Sequence, residues 1–155
     1  MKYNPDNPVS RKIFAAELMG HLSDNGFARC KRLEGKYERH SEVVYAKPVS
    51  GRLILAVYTS CNQRSGAWEA RSNGKDAIRI AGLYVLKDGS TRGIVKTKRV
   101  NRTGDVNEIL KRVSKRIVGS SRLLVNVGRC GNCGAPNFVT KKGNECCAEI
   151  CWKRK

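Results

Sequence analysis

The sequence contains no run of about eighteen apolar residues, and its opening residues, Met1-Lys2-Tyr3-Asn4-Pro5, do not lead into an apolar stretch. The first absence excludes a membrane-spanning helix. The second argues against a secretory signal, so the expectation is a cytoplasmic, nucleoid or nuclear protein with no membrane partner. Histidine is nearly missing. His21 lies beside the apolar stripe of a helical segment, where a packing or surface role is expected, and His40 is the second of only two. Acidic residues are also scarce, 13 Asp and Glu against 31 Lys and Arg, which leaves a formal net charge of +18. A folded chain with that imbalance repels itself unless something acidic compensates, and phosphate is the commonest compensator. Internal repeats and low-complexity tracts are absent as well.

What is present suffices for one ordinary core and a small appendage in 155 residues. The dense apolar runs Leu53 to Tyr58 and Ala77 to Val85 exclude a disordered basic tail. The charge is uneven: residues 91–122 carry ten basic and two acidic side chains, more net charge than the ninety residues before them.

Asn7-Pro8 offers a cap and a first-turn proline for a helix with Phe14, Leu18 and Leu22 on one face, stopped by Asn25-Gly26. Strand character follows, with candidates near 28–33, 41–47, 52–60, 77–86 and 92–100, separated by turns such as Pro48 to Gly51 and Asp88-Gly89-Ser90. Leu53 to Tyr58 is apolar on both faces and so belongs at the sheet centre. The charged segment 91–100 suits an edge. The polar stretch Ser60 to Asp76, which holds Trp68, reads as a long loop, functional or mobile. Asp105 opens a second helix, with Glu108 as a capping-box partner, an apolar face of Val106, Ile109, Leu110, Val113 and Ile117, and Gly119 as the expected stop. The fold class is therefore α+β: an antiparallel sheet of four or five strands packed with two helices over residues 1–122, followed by a small unit over 128–155.

Five of the seven cysteines crowd into residues 130–151. Without a secretory signal that crowding favours reduced, metal-binding thiolates over disulfides. Cys30 and Cys61 read as ordinary buried thiols. Cys130-Gly131-Asn132-Cys133-Gly134 is the tight pair that lets two thiolates reach one ion, and Phe138-Val139-Thr140 with Lys141 to Asn144 reads as a strand entering a hairpin turn before Cys146, Cys147 and Cys151. Over roughly 128–152 the chain resembles a zinc ribbon. Adjacent residues on a strand point to opposite faces, so Cys146 and Cys147 do not share an ion. The expected ligands are Cys130, Cys133, Cys147 and Cys151 around one structural zinc ion, with Cys146 as the spare. Three residues between the second pair, instead of the usual two, leave the choice between Cys146 and Cys147 open. A closed four-thiolate site is structural, and in small peptides contributes about 10–16 kcal/mol of coupled folding free energy.

The functional expectation is nucleic-acid binding, DNA or RNA, through the phosphate backbone. Its candidates are Arg92, Lys96, Lys98, Arg99 and Arg102 on and after the last strand, and Lys111, Arg112, Lys115 and Arg116 on the helix. Arg92, Lys96 and Lys98 are expected on one strand face and Arg99 on the other. The bland alternative, a merely solvated helix face, loses weight because the whole chain lacks acidic compensation. Tyr58, Trp68 and Tyr84 are candidates for stacking on bases, which points to binding or annealing of single-stranded DNA; core packing is the simpler role for each. Two further readings stand beside this one: an adaptor whose ribbon docks onto a nucleic-acid-processing complex, and a metal-dependent nuclease built on Glu69, Asp76 and Asp88. Turn chemistry explains the Asp residues of that trio, and His40 with Glu42, the other acid/base pair, also suits a surface ion pair, so an enzyme is the weaker expectation.

Overall fold

The computed structural model describes residues 1–4, 6–34, 40–62, 77–139 and 145–149; at 40–42, 60–62, 77, 139, 145 and 146 it describes the backbone alone. Helix α1 spans Pro8–Asp24. Asn7 caps it by accepting the Val9 N–H at 2.9 Å, Phe14, Leu18 and Leu22 form its buried stripe, and the chain leaves it through Asn25 and Gly26, the latter at φ +86°.

Five antiparallel strands follow: β1 (Ala28–Arg29), β2 (His40–Ser50), β3 (Leu53–Asn62), β4 (Ala77–Val85) and β5 (Thr91–Asn101), arranged in sequence order. β3 is central, as its two-sided apolar pattern requires. Leu53, Leu55 and Val57 point towards the helices, while Ala56 lies on the reverse face with Val44, Ala81 and Leu83 in a second, smaller cluster. β5 is an edge strand, which leaves Lys96 and Arg99 exposed to water.

The first strand is shorter than its expected span of 28–33. The chain turns instead through a single 3-10 turn at Lys31–Leu33, which brings Leu33 against the reverse face. Arg29 and Glu34 fix that turn. Both Glu34 carboxylate oxygens accept from the Arg29 guanidinium at 3.0 Å, and one also takes the Val44 N–H at 3.0 Å. The Arg29 hydrogen bonds hold the Glu34 carboxyl below its ordinary range; burial opposes them and the Val44 bond adds to them. A pKa depressed in the folded state contributes stability above the unfolded value and loses it as pH falls through the folded one. Glu34→Ala is therefore expected to cost about 1–3 kcal/mol in urea unfolding at pH 7, with the difference from wild type shrinking in acid.

The second helix, α2, spans Val106–Val125 and lies over β4 and β5. Asp105 caps it by accepting the Asn107 N–H at 3.0 Å. The reciprocal Glu108 bond of a capping box is not seen among the described residues. The N-terminal segment lies alongside instead, with the Val106 N–H donating to the Met1 carbonyl at 2.9 Å and the Tyr3 N–H to Gly104 at 2.9 Å.

The expected stop at Gly119 is wrong: the helix continues for six more residues to Asn126, which caps it. Gly119 faces open space, where a mid-helix glycine costs only about 1 kcal/mol, and Ser120 and Leu124, both fully buried, continue the inner stripe. Leu124 seats against Gly82, where a Cβ would lie 2.9 Å from its Cδ2 and 3.0 Å from the Val95 Cβ. Gly82→Ala is expected to destabilise the fold by about 1–3 kcal/mol in denaturant titration.

After α2, β6 (Asn137–Val139) and β7 (Glu145–Cys147) form a small antiparallel hairpin. It packs on the main sheet. Ala148 belongs to the principal core, and Phe138 and Val127 pack against it.

Candidate metal centre and cationic surface

The Cys130–Cys133 segment forms a tight knuckle. The Gly134 N–H donates to the Cys130 carbonyl at 2.9 Å, the Cys130 N–H to Ala135 at 2.8 Å, and the Asn132 N–H points at the Cys130 sulfur, 3.4 Å away. Gly134 takes φ +76°, which explains glycine directly after the second thiol. The hairpin supplies the third sulfur. Asn137 stands opposite Cys147 and Phe138 opposite Cys146, so the register fixes which backbone position faces the knuckle. Cys147 is buried, and its sulfur lies 3.8 Å from that of Cys133, too far for a disulfide. The sulfurs of Cys130, Cys133 and Cys147 all lie within 4.8 Å of one another, an arrangement that can hold a metal ion. The side chain of Cys146, and Cys151 altogether, lie outside the described residues.

Two contacts lock this unit to the sheet. The Arg92 guanidinium lies over the Phe138 ring at 5.3 Å, and the Tyr84 hydroxyl donates to Glu149 at 3.0 Å. Burial, followed by that carboxylate, pushes the Tyr84 phenol above its ordinary pKa.

The nine basic candidates separate into groups. Lys96, Arg99, Lys111, Lys115 and Arg116 are exposed. Lys98 is half-buried and pairs across the sheet with Ile80. Arg92 is occupied with Phe138, Arg102 lies over the Phe14 ring at 5.6 Å, and Arg112 donates to the Thr103 carbonyl. The expected sharing of one strand face by Arg92, Lys96 and Lys98 is interrupted, because the β4–β5 pairing shifts register between Ile80 and Gly82 and again between Gly82 and Leu83. Arg92 falls opposite Tyr84 and Lys98 opposite Ile80, while Lys96 and Thr97 fall between the Val95 and Lys98 pairings. Arg99 stands opposite Arg79 on the reverse face.

Arg79 was not singled out in the sequence, although an arginine inside an apolar strand is the signal that could have found it. Its guanidinium sits 4.9 Å over the Tyr58 ring. Tyr58 is half-buried on the reverse face, whereas Tyr84 is core; Trp68 lies outside the described residues.

The remaining candidates do not converge. Asp88 accepts from the Ser90 N–H at 2.9 Å and its hydroxyl at 2.6 Å, the turn chemistry expected of it, while Glu69 and Asp76 lie outside the described residues. His40 and Glu42 are described by backbone alone, opposite Asn62 and Ser60. His21 Nε2 lies 2.6 Å from the Ser114 hydroxyl and joins the two helices, a packing role. Among the described residues the three cysteines are the one group of His, Cys, Asp or Glu poised for a metal, and no described helix is long and apolar enough to cross a membrane. Comparison of the chain with protein-family models, with curated proteins and with solved structures found no match.

Proposed function

We propose that the protein binds nucleic acid, capturing the phosphate backbone on β5 and α2, with a structural zinc ribbon as a second contact or docking surface. The observation that carries this reading is the group of exposed Lys96, Lys111, Lys115 and Arg116 on an edge strand and the helix packed against it, with Arg99 exposed on the reverse face of that strand, in a chain of charge +18. None of the five is in an ion pair among the described residues. Arg92, Lys98, Arg102 and Arg112 then act mainly by shaping this surface and adding to its potential. Tyr58 beside Arg79, with Arg99 across the strands, supports a preference for single strands, whose bases present their faces to rings and guanidinium planes.

Zinc is the ion that suits the cluster. Four thiolates at about 2.3 Å from a tetrahedral zinc stand about 3.8 Å apart, and the Cys133 and Cys147 sulfurs are separated by 3.8 Å. Cys151 is the proposed fourth ligand.

The test is fluorescence anisotropy of the zinc-loaded chain with labelled single-stranded DNA, duplex DNA and single-stranded RNA, across a salt series with excess unrelated polyanion. Binding that survives the competitor and weakens linearly in log salt is expected, tightest for a single strand. Loss of all binding to the competitor would reject the reading.

A further inference from the structure

Three segments distant in sequence meet at the end of the sheet beside the cysteine cluster. The β2–β3 turn brings Arg52, the β4–β5 turn brings Lys87, and the strand entering the knuckle brings Arg129; together with Tyr84 and Glu149 they border an open cleft of about 430 Å³. None of these three cations belongs to the β5 and α2 surface.

Each wall thus contributes one exposed cation, and none of the three is in an ion pair among the described residues. Arg52 uses one guanidinium nitrogen on the Val85 carbonyl at 3.3 Å, and Arg129 one on the Gly134 carbonyl at 3.5 Å. Those bonds orient the two forks while leaving each with further N–H donors. The carboxylate bordering the cleft, Glu149, accepts from the Tyr84 hydroxyl. Three like charges gathered around one cleft repel each other, and an anion with several acceptor oxygens relieves that repulsion. Guanidinium forks match phosphate oxygens in shape as well as charge.

We infer that this cleft is a phosphate-binding site which, if the nucleic-acid reading holds, seats one phosphate of the bound strand at the junction of sheet and metal-binding unit. Arg129 directly precedes Cys130, and Cys133 and Gly134 form part of the wall. Loss of the proposed zinc would therefore disturb this cleft while leaving β5 and α2 in place.

Two measurements on the full zinc-loaded chain test the inference. In the first, inorganic phosphate is titrated while backbone amide resonances are followed. Saturable shifts centred on Gly51, Arg52, Lys87, Arg129 and Gly134, absent in Arg52→Gln/Arg129→Gln, are expected; shifts that are missing, or spread equally over α2 and β5, overturn the site. In the second, Arg52→Gln/Lys87→Gln/Arg129→Gln is compared by anisotropy with a control of equal charge loss, Lys2→Gln/Lys12→Gln/Lys31→Gln. The cleft variant is expected to lose at least tenfold more affinity and to flatten the log-salt slope by about 0.7 or more on a single strand. Equal losses overturn the cleft and leave the nucleic-acid reading standing. A wild type that binds phosphate locally but no oligonucleotide retains the cleft and rejects that reading. A 5′-phosphorylated strand that binds more tightly than its hydroxyl form, with the advantage lost in the variant, marks a terminal phosphate; equal binding marks an internal one.

Discussion

Cys147→Ser is expected to release the metal and loosen the residues after Val127, while the five-stranded sheet and its two helices remain folded. Cys147 is the buried member of the sulfur cluster, its sulfur 3.8 Å from that of Cys133, and serine in its place would offer the proposed zinc a poor ligand. In small zinc-dependent units the metal supplies about 10–16 kcal/mol of folding free energy, which the few apolar residues of this segment cannot replace. The loss does not stop at the hairpin. Ala148 is part of the main core and Phe138 lies under Arg92, so the sheet domain should lose roughly 2–4 kcal/mol as these contacts open. Metal content after dialysis, amide exchange of residues 128–149 and urea unfolding of the remainder report the three effects separately. Stoichiometric metal retained by the variant would rule out Cys147 as a ligand.

Lys111→Glu/Lys115→Glu should weaken oligonucleotide binding by roughly 10- to 100-fold, and by clearly more than Lys12→Glu/Lys31→Glu, which changes the net charge by the same amount. Lys111 and Lys115 are exposed one turn apart on α2, and neither is in an ion pair among the described residues, so reversal alters the surface potential without opening the core. Matching thermal unfolding of the two variants would exclude a folding defect. Equal losses of affinity would mean diffuse attraction to the whole cationic chain, with no surface at β5 and α2.

Much of the architecture could be read from residue pattern because local and global preferences agree. The cap and stripe of α1, the central position of β3 and the edge position of β5 each follow from which faces are apolar. Where expectation and structure differ, tertiary contacts decide. Gly119 looks like a helix stop by composition, but Leu124 continues α2 because a glycine far earlier in the chain, Gly82, leaves room for it. Charge alternation along β5 could not be read because its register shifts depend on pairing with β4, and a period of two is silent about an inserted residue. The metal cluster was legible through spacing for Cys130 and Cys133, and Cys147, the expected third ligand, joins them, while the side chain of Cys146 lies outside the described residues. The junction cleft was invisible, since Arg52, Lys87 and Arg129 share no motif and meet only after the C-terminal unit has docked.

The irregular pairing of β5 has a consequence for how copies of the protein behave when crowded. A sheet edge invites another strand when it offers a straight, uncharged ladder of backbone groups. Here one edge is bent by two register shifts and carries Lys96, Lys98 and Arg99, and the opposite edge, β1, is two residues long. The charges and shifts disfavour extension through β5, whereas β1 covers only Tyr45 and Ala46 of β2. Molecules gathered along one strand by the proposed nucleic-acid binding would therefore resist fusing through β5, the longer of the two terminal strands of the sheet.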